Sequence, residues 1–578
     1  MITIKTLNNY VKKYLKEISL QIIFATLWVV TALIIPKLMA NIIDYGIAKN
    51  NMKYVYQTGI IMIIVTVLNI IFLLINIYFL TRANAAISRD LRHDIFKKVI
   101  HFSAHTRQNF STSTLITRNI NDVKQVSNFI DLSLRKIYTT SITIIGAVII
   151  AFSLDVKLAL LMFIIVPIVL IVASKLTSRA LPQYSKIRTG IDNINRLFGQ
   201  NISGIRVIKA FNKTEYEERQ FSEAVNETYD ANVKAESIMM LLSPLVTLAA
   251  NMLIVVILWI GAGRIDARTL QIGVLVAIIE YVTMALNNVQ QLSTIITIIP
   301  RSQVSLKRIE EILRSEEKVE KPRKINSDMS ELNIEGISFK NMNFYYPNSN
   351  LPAVEDFNTL FEKGNTTAII GSTGSGKSTL IRLIMRDFDT SEGDILVDNI
   401  NVKNITDEEY NNKITLVPQK TFLFGGTVRE NIQVGKADAS DEEIWEVLDA
   451  SEMGDFFRSE EGLDTHISQN ATNLSGGQKQ RLSIARALIR DTDYYLFDDC
   501  FSALDYTTER KIRKAVIRRL KGKTIIVVAQ RVATVKNANK ILVMDDGKLI
   551  ASGKHEELIR TCKTYNEIVT SQNQEEVK

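Results

Sequence analysis

Apolar residues crowd the chain up to about position 300 and thin out after it, which divides the sequence into a lipid-compatible half and a soluble half. Six apolar runs of spanning length lie at 18–43, 59–80, 137–154, 158–173, 238–262 and 270–299. The third and fourth abut at Ser153-Leu154-Asp155-Val156-Lys157, which predicts a hairpin of two membrane helices with a very tight turn. Spans two and three, and four and five, are joined by long polar segments; the other connections are short. Arg82, Arg89, Arg92, Lys97, Lys98, Arg107, Arg118 and Lys124 in the first long segment place these segments and both termini on the cytoplasmic side. Helical periodicity runs straight out of the spans, so the membrane helices are expected to continue into the cytoplasm and turn at short helical tips near 109–115 and 203–211.

The last span carries polar residues at steps of three and four: Glu280, Thr283, Asn287, Gln290, Gln291 and Thr294. Glu280 sits about 15 Å into the span at 1.5 Å per residue. A carboxylate at that depth costs about 2.5–3.5 kcal/mol on insertion scales, so the stripe is expected to face a wet cavity or a partner.

Over 578 residues, 47% are hydrophobic and 22% charged, with a net charge of +8. The excess follows from the membrane-facing loops; no basic stripe interleaved with aromatics is present, so no nucleic-acid partner is expected. Cys500 and Cys562 are too few for a disulfide framework and are expected as reduced structural thiols. His101 and His105 are one helical turn apart but lack a third ligand, and read as a solvated helix face. The polar, lysine-containing stretch before the first apolar run has no cleavage site, so that run reads as an anchor.

The organisation predicted is an α-helical transmembrane domain over 1–313, a charged linker at 314–333 and an α/β domain over 334–578. Within the latter, Thr367-Ala368-Ile369-Ile370 reads as a buried strand running into Gly371-Ser372-Thr373-Gly374-Ser375-Gly376-Lys377-Ser378-Thr379 and then a helix. This is a P-loop in its required context: glycines let backbone N–H groups converge on phosphates, Lys377 reaches the outer phosphates of ATP, and Ser378 ligates Mg2+. Downstream, the apolar strand 493–497 ends in Asp498, suited to Mg2+, and Asp499, suited to polarising the attacking water. Between them, Ser475-Gly476-Gly477-Gln478 opens an amphipathic helix and forms a second anion-binding surface. One cassette needs only its own P-loop, so the second surface is expected to serve a nucleotide bound by a partner.

Leu474-Ser475-Gly476-Gly477-Gln478 between a P-loop and an Asp-ending strand resembles the signature of ATP-binding cassette (ABC) transporters. Six preceding spans with long inner loops resemble their exporter branch. The resemblance implies that Tyr346 stacks on adenine, that Gln419 contacts Mg2+ and the membrane domain, that 502–505 cross a dimer interface, and that the tip near Gly204 docks on the partner's cassette. It also exposes departures. Asp499 stands where the family has a catalytic glutamate, Gln530 where it has a switch histidine, and 465–471 lack the acidic-basic pair common before the signature. Asp is shorter than Glu by about 1.5 Å, and misplacing a catalytic group by about 1 Å can cost about 10²-fold. Gln530 donates a hydrogen bond but cannot become a cation. The expectation is an ATP-driven exporter of hydrophobic or amphipathic substrates in the cell membrane, in which this slow site pairs with a non-identical half-transporter carrying the glutamate and the histidine. The alternatives are a homodimeric exporter and an ATP-gated channel or regulator. Glu280, Asn287 and Gln291 would then line the substrate path.

Overall fold

The computed structural model describes residues 2–576 apart from 104, 105, 108, 296–298, 316–334 and 348. The chain separates into two units: residues 1–101 with 110–315, and 102–109 with 316–578. The expected linker at 314–333 therefore lies almost wholly outside the described residues.

In the first unit, six helices are long and apolar enough to cross a membrane: Leu15–Ile47, Met52–Ile100, Thr112–Leu154, Val156–Ser203, Thr214–Asp266 and Ile272–Leu292. Each overlaps one of the six apolar runs, and most overrun it, because a helix satisfies its own backbone polar groups whether lipid or water surrounds it. Apolar composition marks only the lipid-compatible part. Between Leu154 and Val156 a single residue, Asp155, makes the turn. Its backbone is extended, its carboxylate accepts the Leu158 N–H at 3.0 Å as an N-cap, and the same oxygen pairs with Arg264 at 2.7 Å. At the second long segment, Ile205–Ala210 forms a six-residue helix between Gly204 and Phe211. The first tip is displaced from its expected place: Phe102–Asn109 clusters with the second unit, and the short helix Thr112–Thr117, capped by Ser111, belongs to the first. His101 accounts for its ring through the Lys97 carbonyl at 2.7 Å, and His105 lies outside the described residues.

Ile272–Ile295 is the packing centre of the first unit, with Ala277, Ile278, Tyr281, Val282, Ala285 and Val289 almost fully buried. Two polar clasps fix it to the first span. The Tyr281 hydroxyl donates to the Leu33 carbonyl at 2.6 Å, one turn before Pro36 interrupts that helix's hydrogen-bond ladder. The Asp44 carboxylate, in a π-helical turn at Ile42–Ile47, accepts the Gly273 N–H at 2.6 Å.

The second unit holds a six-stranded sheet in the order Lys548–Gly553, Lys540–Asp545, Thr366–Gly371, Thr524–Val528, Tyr494–Asp498, Ile414–Val417. All neighbours are parallel except the first pair. An antiparallel sheet of Pro352–Glu362, Gly336–Tyr345, Glu392–Val397 and Ile400–Asn401 accompanies it. Both cysteines are buried free thiols.

A Cβ at Gly273 would meet the Ala40 carbonyl oxygen at 2.2 Å and Asp44 at 2.6 Å, so Gly273→Ala must part the two helices. Overpacking of this kind costs about 1–3 kcal/mol. The thermal unfolding midpoint in detergent should fall for Gly273→Ala and hold or rise for Gly263→Ala, where no heavy atom lies within 4 Å.

Candidate nucleotide site

Four adjacent parallel strands end on one edge of the six-stranded sheet, and each releases a candidate residue there. Thr366–Gly371 leads into the P-loop, Thr524–Val528 is followed by Gln530, Tyr494–Asp498 by Asp499, and Ile414–Val417 by Gln419. The register holds them level: Val528 pairs with both Ile369 and Asp498, and Val417 with Phe497. In open α/β sheets this carboxyl edge is where ligands bind.

The P-loop turns through left-handed backbone at Gly374 (φ +90°) and Gly376 (φ +95°), which only glycine adopts without strain. The helix Lys377–Ile384 follows at once, with no side-chain cap. Its first N–H groups are therefore left facing the loop, at the positive end of the helix. Lys377 Nζ donates to the Gly371 and Ser372 carbonyls at 2.8 and 2.6 Å and to Ser375 Oγ at 3.1 Å. Burial pulls its pKa down, and Asp499 and Asp498 oppose that shift.

A cavity of about 610 Å³ opens over this loop, lined by Thr373 to Thr379, Tyr346, Gln419 and Gln530 among others. Tyr346 packs edge-on against Phe344 and Phe388 and shares a hydrogen bond with Thr379 Oγ1 at 3.1 Å. The wall is completed by 351–353 and by the Asp546-Gly547 turn, which sequence reasoning missed. An Asp-Gly pair reads as a hairpin turn, but nothing local shows that the turn borders a cavity.

Asp498 and Asp499 stand side by side at their strand end. Burial raises both pKa values, and for Asp498 the Asp499 charge raises it further while Ser378 opposes. Asp498 Oδ1 is buried without a hydrogen-bond partner, which fits a cation as its missing neighbour. Asp499 has φ +46°, and its Oδ2 accepts both the Gln419 and the Gln530 side-chain amides, at 3.1 and 2.9 Å. Donating to a carboxylate requires Gln419 to present Nε2 to Asp499, which leaves its Oε1 for another partner. Hard oxygen donors from Ser378, Asp498 and Gln419 suit Mg2+.

Ser475 caps the helix Gly476–Leu488 in a reciprocal box: Ser475 Oγ accepts the Gln478 N–H at 3.3 Å, and Gln478 Oε1 accepts the Ser475 N–H at 2.8 Å. Ser475 and Gly476 are exposed, and none of Ser475 to Gln478 lines the P-loop cavity. Glu280, Asn287 and Gln291 lie apart from all of this in the first unit, exposed together with Thr283 on one face of their helix. Gln290 is half-buried, and the Thr294 side chain lies outside the described residues.

Residues 18–289 match the family model of the ABC transporter transmembrane region, and 354–502 that of the ABC transporter ATP-binding domain. An uncharacterised ABC transporter ATP-binding protein of Mycobacterium tuberculosis is 34% identical over 98% of each chain. The ATP-dependent lipid A-core flippase of Hahella chejuensis is 30% identical, over 84% of this chain and 83% of its own. A bacterial Atm1-family ABC exporter with ATP bound shares the fold, with a TM-score of 0.78 over 97% of this chain and 98% of its own at 22% identity.

Base–aromatic stacking is worth about 1–3 kcal/mol, so Tyr346→Ala should weaken ATP binding by about five- to 150-fold. Tyr346→Phe keeps the ring, loses only the Thr379 hydrogen bond, and should stay within about fivefold. Equilibrium binding of a fluorescent ATP analogue to the purified protein measures both.

Proposed function

The chain belongs to the ABC transporter family, as an exporter-type half-transporter with six membrane helices and one ATP-binding domain, and from that premise we propose that it works beside a non-identical half-transporter. ABC exporters act as dimers in the membrane and couple ATP hydrolysis to transport. The finer reading concerns which site does the work. In this chain Asp499 and Gln530 occupy the water-activating and switch positions, while Ser475-Gly476-Gly477-Gln478 keeps the family pattern and lies off its own P-loop cavity. That combination carries the proposal. Two copies of this chain would make two slow sites. A partner with a glutamate and a histidine would instead form one slow site on this P-loop and one fast site completed by this chain's signature.

In the slow site, Lys377 and the P-loop N–H groups bind the phosphates, Tyr346 holds the base, and Ser378, Asp498 and Gln419 would hold Mg2+. The ion, when bound, neutralises phosphate charge. Asp499, short and already engaged by two amides, activates water poorly, so ATP stays in place over many turnovers and holds the two cassettes together. Residues 1–313 form the transport domain and 334–578 the cassette, with both termini and the cassette on the cytoplasmic side by the charge of the long segments. The tip at Ile205–Ala210, flanked by Phe211 and with Val207 exposed, docks on the partner's cassette.

The cargo is a hydrophobic or amphipathic molecule. Support comes from the exposed stripe of Glu280, Thr283, Asn287 and Gln291 on an otherwise apolar helix, which gives a path with both characters. A relative's designation as a lipid flippase points the same way.

In the reconstituted heterodimer, Ser475→Arg should remove most steady-state ATP hydrolysis, while Asp499→Asn should lower it by less than about twofold. Silencing by Asp499→Asn as complete as that by removing the partner's catalytic carboxylate makes this site catalytic and favours the homodimer. For the path, Glu280→Gln should impair export of cationic substrates more than neutral ones and leave basal hydrolysis standing. Equal export of both classes by that variant removes Glu280 from the path.

A further inference from the structure

The switch residue Gln530 is held from behind by a residue near the C terminus. Gln572, on the last helix Lys563–Glu576, places its amide across the backbone of the segment that carries Gln530. Its Nε2 donates to the Gln530 carbonyl and its Oε1 accepts the Val532 N–H, both at 2.8 Å. One planar group thus brackets the main chain on both sides of Arg531. The helix itself is seated on this segment: Tyr565, Ile568 and Val569 pack in one cluster with Ala529, Val532 and Val535. From the same segment, the Gln530 side chain runs forward to Asp499 Oδ2 at 2.9 Å and lines the nucleotide cavity.

We propose that Gln572 is a positioning residue for the ATP site, fixing the backbone of Gln530 and Val532 so that the Gln530 amide is aimed at Asp499 and the phosphates. The inference rests on the reading of this cavity as a slow nucleotide site, and it adds a second contact that sets that site's grip. A glutamine that cannot become a cation offers only a directional hydrogen bond, so its reach depends on where the backbone is held. The segment has other anchors, since Thr534 donates to the buried Glu509 at 2.6 Å and Arg531 pairs with Glu509 at 3.6 Å. Losing Gln572 therefore loosens the aim of Gln530 without unseating the segment.

The test uses the full-length transporter reconstituted with its partner and loaded with radiolabelled 8-azido-ATP, which is crosslinked to this chain after increasing chase times. Gln572→Ala should shorten retention by about five- to tenfold. Gln572→Glu should do the same, because it keeps size and the acceptor for Val532 but loses the donor to Gln530; this covers an alanine variant that fails to fold. Ser571→Ala, one residue away and exposed, should retain label as the unaltered protein does. In a Gln530→Ala background, Gln572→Ala should add nothing, an outcome that a purely structural role would not give. Unaltered retention in both Gln572 variants overturns the proposal, as does a full further loss in the Gln530→Ala background. If the unaltered transporter releases label at its turnover rate, the slow-site reading fails by itself. The same set is then read on kcat and KM for ATP, where positioning predicts a fall in kcat with KM held and again no effect beside Gln530→Ala; a fall that persists there overturns it.

Discussion

The parallel register of four strands is the constraint on which the nucleotide site depends. Because Ile369, Val528 and Asp498 pair in one row and Val417 lies level with Phe497, the chain leaves all four strands at the same edge. Parallel strands require crossovers, and each crossover returns a new loop to that edge. Residues far apart in sequence, Gly371, Gln419, Asp499 and Gln530, thereby gather around one cavity without any of them being near another along the chain. A slip of one residue in any strand would turn its side chains to the opposite face and withdraw its loop.

The membrane half answers a different constraint, the need to satisfy every backbone group inside the chain. The one-residue turn at Asp155 is possible because one carboxylate both caps the following helix and neutralises Arg264. Where Pro36 breaks a ladder, the Tyr281 hydroxyl supplies a donor one carbonyl further on, at Leu33. Local interruptions are thus mended by side chains of a neighbouring helix, and the same contacts fix the helices to one another.

How much of this was legible follows from how local each signal is. The P-loop, the Asp498-Asp499 pair and the Ser475 cap are contiguous strings whose chemistry is written in adjacent residues, so they could be read directly. The short helix at Ile205–Ala210 was legible because Gly204 interrupts a long helical pattern. The other tip was misplaced by a few residues, since the polar run from 102 to 115 has no comparable break and what separates 102–109 from 112–117 is tertiary clustering. The cavity walls at 351–353 and Asp546-Gly547, and the bracket made by Gln572, arise only when distant elements meet. A glutamine near a polar C terminus carries no pattern that sets it apart.

The two amides on Asp499 connect these levels. A longer acid would reach past Gln419 and Gln530, whereas a short one ends where both can donate to the same oxygen. Left-handed backbone at this position (φ +46°) is also tolerated better by aspartate than by longer side chains. Two donors favour the ionised form, but burial outweighs them and raises the pKa. The result is a carboxylate stabilised as an acceptor and fixed in direction, with one of its two oxygens already occupied. Substituting glutamine for a cationic switch residue reinforces this, because a neutral amide can sit against Asp499 without forming an ion pair that another charge would break. The departures from the family pattern at 499 and 530 are therefore chemically matched to each other: each makes the other's position a comfortable resting contact, and together they suit a site that holds more readily than it cleaves.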